Sequence, residues 1–280
     1  MKTRILTTIV MLAVFIPILW FSDLFVYPAA MAILCAVAML ELLRCLGIHR
    51  DLWLSVPAVL IPTAATLLAF FVTSAGKSPI AYFGALLAVL FLLAVYLFAV
   101  AVFRAGRTAY ATMMGVLGGA LYLAVAFSSM VLLRYLENGV YLFLLPFIGS
   151  WVCDTFAYFT GRVCGRHKLA PIVSPKKTVE GSIGGIVFAV GAFALYGLVL
   201  SSRGMSPNYL ALCLAGLCVS LISQIGDLAL SLIKREYGIK DYGRLFPGHG
   251  GVLDRFDSVI ATAPIILLLA CLGGAFSLFY

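Results

Sequence analysis

Charge is scarce in this sequence. Asp, Glu, Lys and Arg make up 11% of its 280 residues, against 64% hydrophobic residues. A soluble domain carries roughly 25% charged residues, so an ordinary soluble fold is excluded and no large soluble domain fits. Strict apolar–polar alternation is also missing, which excludes a membrane β-barrel. The seven cysteines form no CxxC pair and fall mostly within apolar runs. They read as small apolar filler, with no zinc site and no disulfide framework. No internal repeat stands out, which counts against transporter folds built from repeats. No small-x-small cleavage site follows the opening run "MKTRILTTIVMLAVFIPILWFSD", so that run reads as a retained first helix rather than a signal peptide.

What is present is a series of apolar runs, each about twenty residues long and able to cross a bilayer as a helix. They predict an all-α polytopic integral membrane protein with about nine transmembrane helices, at roughly 5–21, 24–43, 52–73, 79–103, 110–133, 139–160, 182–201, 209–233 and 258–279. Residues 1–138 would form an N-terminal region of five spans. Residues 139–280 would form a catalytic region of four spans with two polar loops. Lys and Arg divide sharply between alternate loops. Sixteen of the nineteen, from Lys2 and Arg4 through Arg107 to Arg255, fall on one side, and only Lys77, Arg134 and Arg203 on the other. The positive-inside rule places the N-terminus and both polar loops in the cytoplasm and the C-terminus opposite. The net charge of +8 is thus a topology signal suited to anionic lipid, not a nucleic-acid footprint.

The eleven acids are unevenly placed. Asp23, Glu41, Asp51 and Glu137 sit at span ends or in short loops. Asp154, Glu180, Asp227, Glu236, Asp241, Asp254 and Asp257 all lie in or beside the two polar loops of the C-terminal half. Asp227 lies inside the eighth span, about two helical turns, or roughly 10 Å, from its exit at Lys234 and Arg235. An ionised Asp there costs about 3 kcal/mol or more unless compensated. It reads either as a packing acid bonded to a neighbouring helix or as a cation ligand in a polar cavity, and Asp154 reads the same way. Asp254 and Asp257 are spaced i, i+3 where the last span begins, so on a helix they share one face. An N-cap accounts for one of them. Together with Asp227 they make a set of three hard oxygen ligands, which suits Mg²⁺ bridging to a substrate phosphate.

Bases surround these acids. The stretch "KREYGIKDYGRLFPGHGGVLDRFDS" carries Lys234, Arg235, Lys240, Asp241, Arg244, His249 and Arg255 around a glycine-rich turn, and glycines let a backbone approach phosphate. His249 reads as an acid/base, a phosphate donor or a turn residue. In "SPKKTVEG", Ser174 and Pro175 resemble an N-cap and first helical residue, which predicts Lys176 and Lys177 in a first helical turn, where a bound phosphate would favour them. The alternative is an i, i+4 pair of Lys176 with Glu180. These features describe a membrane enzyme whose cytoplasmic, Mg²⁺-bearing site handles phosphates near the lipid headgroups.

The segment "SLIKREYGIKDYGRLFPGHGGVLDRFD", Ser231 to Asp257, resembles the signature of the phosphatidate cytidylyltransferase (CDP-diacylglycerol synthase) family. That pattern is S-x-x-K-R, four residues, K-D, then a spacer to H-G-G-x-x-D-R-x-D, and every fixed position is met. "SPKKTVEG" and "DTFAYFTGR" also look like family segments. The resemblance implies that CTP and membrane phosphatidate react to CDP-diacylglycerol and pyrophosphate. It implies Mg²⁺, with a second cation such as K⁺, and a homodimer in a bacterial cytoplasmic membrane with the site facing the cytoplasm. It makes Asp227, Asp254 and Asp257 the cation ligands. Lys240 and His249 join them as candidate catalytic residues, the motif leaving the roles of His249 and Asp241 open. Ser174, Lys176, Lys177, Lys234, Arg235, Asp241, Arg255 and Asp154 become substrate contacts. Two competing readings are another membrane phosphotransferase and a cation-coupled transporter, the latter disfavoured because the acids cluster towards one side.

Overall fold

The computed structural model describes residues 2–104, 109–272 and 277–279, with side chains from Thr7 onward. Arg107 of the orientation argument, the side chains of Lys2 and Arg4, and residues 273–276 of the expected ninth span lie outside the described residues. The chain folds as α1 (Lys2–Trp20), α2 (Val26–Cys45), α3 (Leu52–Ser74), α4 (Pro79–Phe103), α5 (Tyr110–Arg134), α6 (Gly139–Leu142), α7 (Leu145–Cys164), β1 (Lys168–Ala170), β2 (Ser174–Thr178), α8 (Val179–Ser201), α9 (Tyr209–Glu236) and α10 (Leu253–Leu272). Among the described residues, eight helical segments are long and apolar enough to cross a membrane, and Thr7–Trp20 of α1 is a ninth, shorter apolar helix. The chain is an all-α polytopic membrane protein.

Local chemistry sets most boundaries. Asp51 caps α3 by accepting from Trp53 N at 3.2 Å, and Arg104 Nη1 donates to both Asp51 carboxylate oxygens at 2.7 Å. Ser78 caps α4 ahead of Pro79, the favoured order at a helix start. The expected sixth span is broken into α6 and α7. Pro146 lacks the N–H that would bond Leu142 O, so the helix restarts there.

Two expectations fail at the polar loops. Ser174 does not cap a helix, and Lys176 and Lys177 do not lie in a first turn. Ser174–Thr178 is a strand, antiparallel to β1 with Lys168 opposite Thr178 and Ala170 opposite Ser174. The residue before a proline is pushed away from the α conformation, and Thr178 caps α8 instead, accepting from Gly181 N at 3.2 Å. The last span begins at Leu253, five residues earlier than expected. Asp254 therefore sits in its first turn, and Asp257 is not an N-cap.

The chain divides into two compact units. The first is Met1–Leu136 with Tyr237–Arg255, and the second is Glu137–Glu236 with Phe256–Tyr280. In the first, Tyr27, Met31, Met39 and Leu43 of α2 and Met113, Leu123 and Phe127 of α5 are almost fully buried. The Tyr27 hydroxyl donates to Met130 O at 3.1 Å, and the Tyr82 hydroxyl pairs with Ala65 O and Ser128 Oγ at 2.8 and 2.7 Å. These bonds satisfy buried polar groups where no water can. In the second unit, α7 and α8 approach closely. A side chain at Gly185 would meet Cys153 O at 2.8 Å and Ala157 Cβ at 3.1 Å, and Phe156 stacks on Phe188 at 3.9 Å. Outward-facing Leu87, Phe91 and Leu92 of α4 and Ile183 and Val187 of α8 are exposed, as expected of surfaces that lipid covers.

Candidate active site

The second unit gathers acids from three helices. Asp227 projects from α9 and Asp257 from α10, their carboxyls within hydrogen-bonding reach of one another. Asp154 on α7 stands near both. Ser258 links two of the three, and Ser231 holds the third. Ser258 Oγ donates to Asp154 Oδ2 at 2.7 Å, and Ser258 N donates to Asp257 Oδ1 at 2.9 Å. Ser231, one turn after Asp227, donates to its Oδ1 at 3.2 Å.

Bases from two elements balance this charge. Lys177 on β2 reaches Asp227 Oδ2 at 2.7 Å. Lys234, about two turns beyond Asp227 on the same α9, is buried and acts electrostatically on Asp257. The strand conformation of Ser174–Thr178 explains why Lys177 turns inward while Lys176 stays exposed, because successive strand residues point to opposite faces. Arg235 Nε donates to Val173 O at 3.3 Å, tying the end of α9 to the hairpin. Ser174 is half-buried in the same hairpin.

The base of the hairpin is held by Glu180 in the first turn of α8. Its carboxylate accepts from Arg166 N at 3.0 Å and His167 N at 3.2 Å, and pairs with His167 Nδ1 at 2.6 Å. The alternative Lys176–Glu180 pair is not made among the described residues. Gln224, which shares a face with Asp227, spends its amide on Ser220 O and Ser182 O.

The first unit holds the other motif residues. Asp254 Oδ2 accepts from Tyr242 N at 2.8 Å and Gly251 N at 2.9 Å, folding the loop back onto the start of α10. Arg255 Nε donates to His249 O at 2.7 Å. His249 Nε2 lies 3.3 Å from Thr8 Oγ1, and Thr7 donates to Pro247 O. His249 is half-buried, whereas Lys240 and Asp241 are exposed.

Two close carboxyls repel unless a proton or cation compensates them. The Asp227–Asp257 pair is all hard oxygen, and Mg²⁺ is commonly held by one or two carboxylates plus substrate phosphate oxygens. The pair fits that ion. Among the described residues no group of three or more His, Cys, Asp or Glu could hold a metal ion by itself. The expected set of three is thus not complete inside either unit, since Asp254 belongs to the first and Asp227 and Asp257 to the second.

Sequence reasoning gave no site role to Ser231, Ser258 or Glu41, although Ser231 opens the matched signature. Ser231 had a signal in its i, i+4 spacing from Asp227, and Ser258 only its place beside Asp257. Glu41, assigned to a span end, is 1% exposed inside α2. An acid within an apolar run was the clue.

Residues 2–272 match the sequence profile of the Cytidylyltransferase family. A phosphatidate cytidylyltransferase of Staphylococcus epidermidis is 34% identical over 271 residues, covering 96% of this chain and 98% of that protein. One from Staphylococcus aureus is 35% identical over 270 residues, and one from Staphylococcus haemolyticus 33% over 269, each with the same two coverages. A match that spans both the acid cluster and the hydrophobic helices means that the chain belongs to the cytidylyltransferase family.

Proposed function

We propose that this membrane protein transfers the cytidylyl group of CTP to phosphatidate, giving CDP-diacylglycerol and pyrophosphate. An oxygen of the phosphatidate phosphate attacks the α-phosphorus of CTP, and the bond from that phosphorus to the pyrophosphate oxygen breaks. The observation that carries this reading is the Asp227–Asp257 pair flanked by Lys177 and Asp154 among membrane helices. Relatives named for this reaction match along almost the whole chain.

The nucleophile is already an oxyanion, so little general-base work is required. Charge neutralisation and in-line placement dominate such a transfer. A divalent cation such as Mg²⁺, held by Asp227 and Asp257, would neutralise phosphate charge and polarise the α-phosphate. Lys177 and Lys234 supply positive charge beside that pair. Ser231 and Ser258 fix the carboxylate rotamers, and Asp154 holds Ser258 in place. Lys176, exposed on β2, is free of the helix-dipole penalty that a first-turn position would have imposed and is disposed to meet an anionic headgroup or nucleotide phosphate. The Lys and Arg bias between alternate loops supports a cytoplasmic site, where CTP is available.

The test is direct. Protein purified in detergent is incubated with phosphatidate, labelled CTP and Mg²⁺, and lipid-soluble label is identified. CDP-diacylglycerol is expected. Absence of product across a range of lipids and cations overturns the reading.

A further inference from the structure

We infer that Glu41, on α2, is a positioning residue for the reaction, seated as a carboxylate plug beneath the glycine-rich loop that carries His249 and Asp254. This inference rests on the function proposed above. Glu41 Oε1 accepts from Val252 N at 3.0 Å, and Oε2 accepts from Leu253 N at 2.9 Å. These are the amides at the start of α10, where unpaired N–H groups and the helix dipole favour an anion. The side chain is 1% exposed, so leaving those amides without it would orphan two buried donors.

The loop sequence is shaped around this carboxylate. A Cβ built at Gly243 or at Gly251 would run into Glu41 Oε1. Both positions must therefore be glycine for the carboxylate to seat, whatever phosphate the loop meets. Gly248 and Gly250 have a different reason, since their φ values of 79° and 92° lie in the left-handed region that glycine alone adopts cheaply. A residue about two hundred positions upstream thus sets the spacing of the loop. Asp254 completes the same clasp from the other side, through Tyr242 N and Gly251 N. With Glu41 in place, the start of α10 and the backbone of the loop are held together by four amide–carboxylate bonds.

The geometry makes an unusual demand on substitutions. Glu41→Gln keeps the volume but turns one acceptor into a donor facing an N–H. Gly251→Ala should harm the protein because of Glu41, not because of a phosphate. The test uses full-length protein in detergent, with Glu41→Gln, Glu41→Ala, Gly251→Ala and the Glu41→Ala/Gly251→Ala double variant. Hydrogen–deuterium exchange across Tyr242–Leu253 is read alongside kcat, both KM values and the melting temperature.

Glu41→Gln is expected to accelerate exchange at Val252 and Leu253 and to lower kcat at least tenfold, with both KM values within threefold. Gly251→Ala is expected to do the same in the native background, but to cost less than a further threefold when Glu41 is already Ala. Full multiplication of the two losses overturns the inference and returns Gly251 to a phosphate role. Unchanged exchange in Glu41→Gln also overturns it. Should Glu41→Ala not accumulate as folded protein, the exchange and kcat of Glu41→Gln decide the matter. If the native protein makes no CDP-diacylglycerol, the proposed reaction fails, while the exchange data still test Glu41 on its own.

Discussion

Lys177 Nζ lies 2.7 Å from Asp227 Oδ2, joining a strand of the polar hairpin to a carboxylate within a membrane helix. Both side chains are about one-quarter exposed, at 26% and 25%, but the Lys177 Nζ itself is buried, so water screens the pair little. Removing one partner of a largely desolvated pair leaves the other charge uncompensated. Here the charge left behind is one of two adjoining carboxylates. Lys177→Ala is expected to lower turnover at least a hundredfold, and Lys177→Arg to recover part of the loss because the charge is kept while its point geometry is not. Steady-state assays of purified variants check this. Near-native turnover of Lys177→Ala would remove the residue from the site.

The Asp227–Asp257 pair predicts cation dependence. Asp227→Asn and Asp257→Asn are each expected to cut turnover at least a hundredfold while the protein still folds, because each removes half of a two-carboxylate ligand set. A chelator in excess should abolish product formation, and added Mg²⁺ should restore it. Turnover that persists after exhaustive chelation would refute the cation assignment.

Glu180 anchors the hairpin through the amides of Arg166 and His167 and through the His167 ring. Glu180→Ala frees three donors at once. Trypsin is expected to cut after Lys168 or Lys176 several-fold faster in this variant, and KM to rise more than kcat falls, since Lys176 and Lys177 would be less well placed. An unchanged cleavage rate would mean that pairing of β1 with β2 suffices to hold the hairpin.

Much of this was legible in the sequence, for physical reasons. Apolar runs report membrane helices because an unpaired backbone in hydrocarbon is so costly that length and hydropathy leave little choice. Asp227 and Asp154 could be singled out because an acid in such a run needs a partner. The partners themselves were not legible. Lys177 was placed on a helix because Ser174–Pro175 has the form of a helix start, and two nearby start signals, Ser174–Pro175 and Thr178, compete locally. Strand pairing with Lys168–Ala170 decides between them, and that is a tertiary matter. Glu41 was hidden because its partners are backbone amides some two hundred residues away, which carry no side-chain signature. Gly251 was read as room for phosphate, whereas the nearest atoms are those of Glu41.

The Lys and Arg distribution predicts an orientation with the polar loops in the cytoplasm. A cysteine at position 176, in a protein whose seven native cysteines are replaced by Ser, is expected to react with a membrane-impermeant maleimide only when the cytoplasmic side is accessible. Lys176 is exposed, so burial would not mask the result. Labelling of intact cells from outside would reverse the topology.

The close approach of α7 and α8 predicts opposite outcomes for two glycines of one helix. At Gly185 a methyl group would meet Cys153 O at 2.8 Å, Cys153 Sγ at 3.0 Å and Ala157 Cβ at 3.1 Å. The first of these is backbone and cannot rotate away, so the helices must part. Overpacking of this kind costs about 1–3 kcal/mol, and Gly185→Ala should lower the melting temperature in detergent. Because Cys153 directly precedes Asp154, the same displacement should loosen the Asp154–Ser258 bond and reduce turnover. At Gly191 nothing lies within 4 Å of an added methyl. Gly191→Ala removes a flexible residue from a helix interior, a change favourable by about 0.5–1 kcal/mol, and should leave turnover unchanged while holding or raising the melting temperature. Equal melting temperatures for the two variants would show that α7 and α8 are not packed as described.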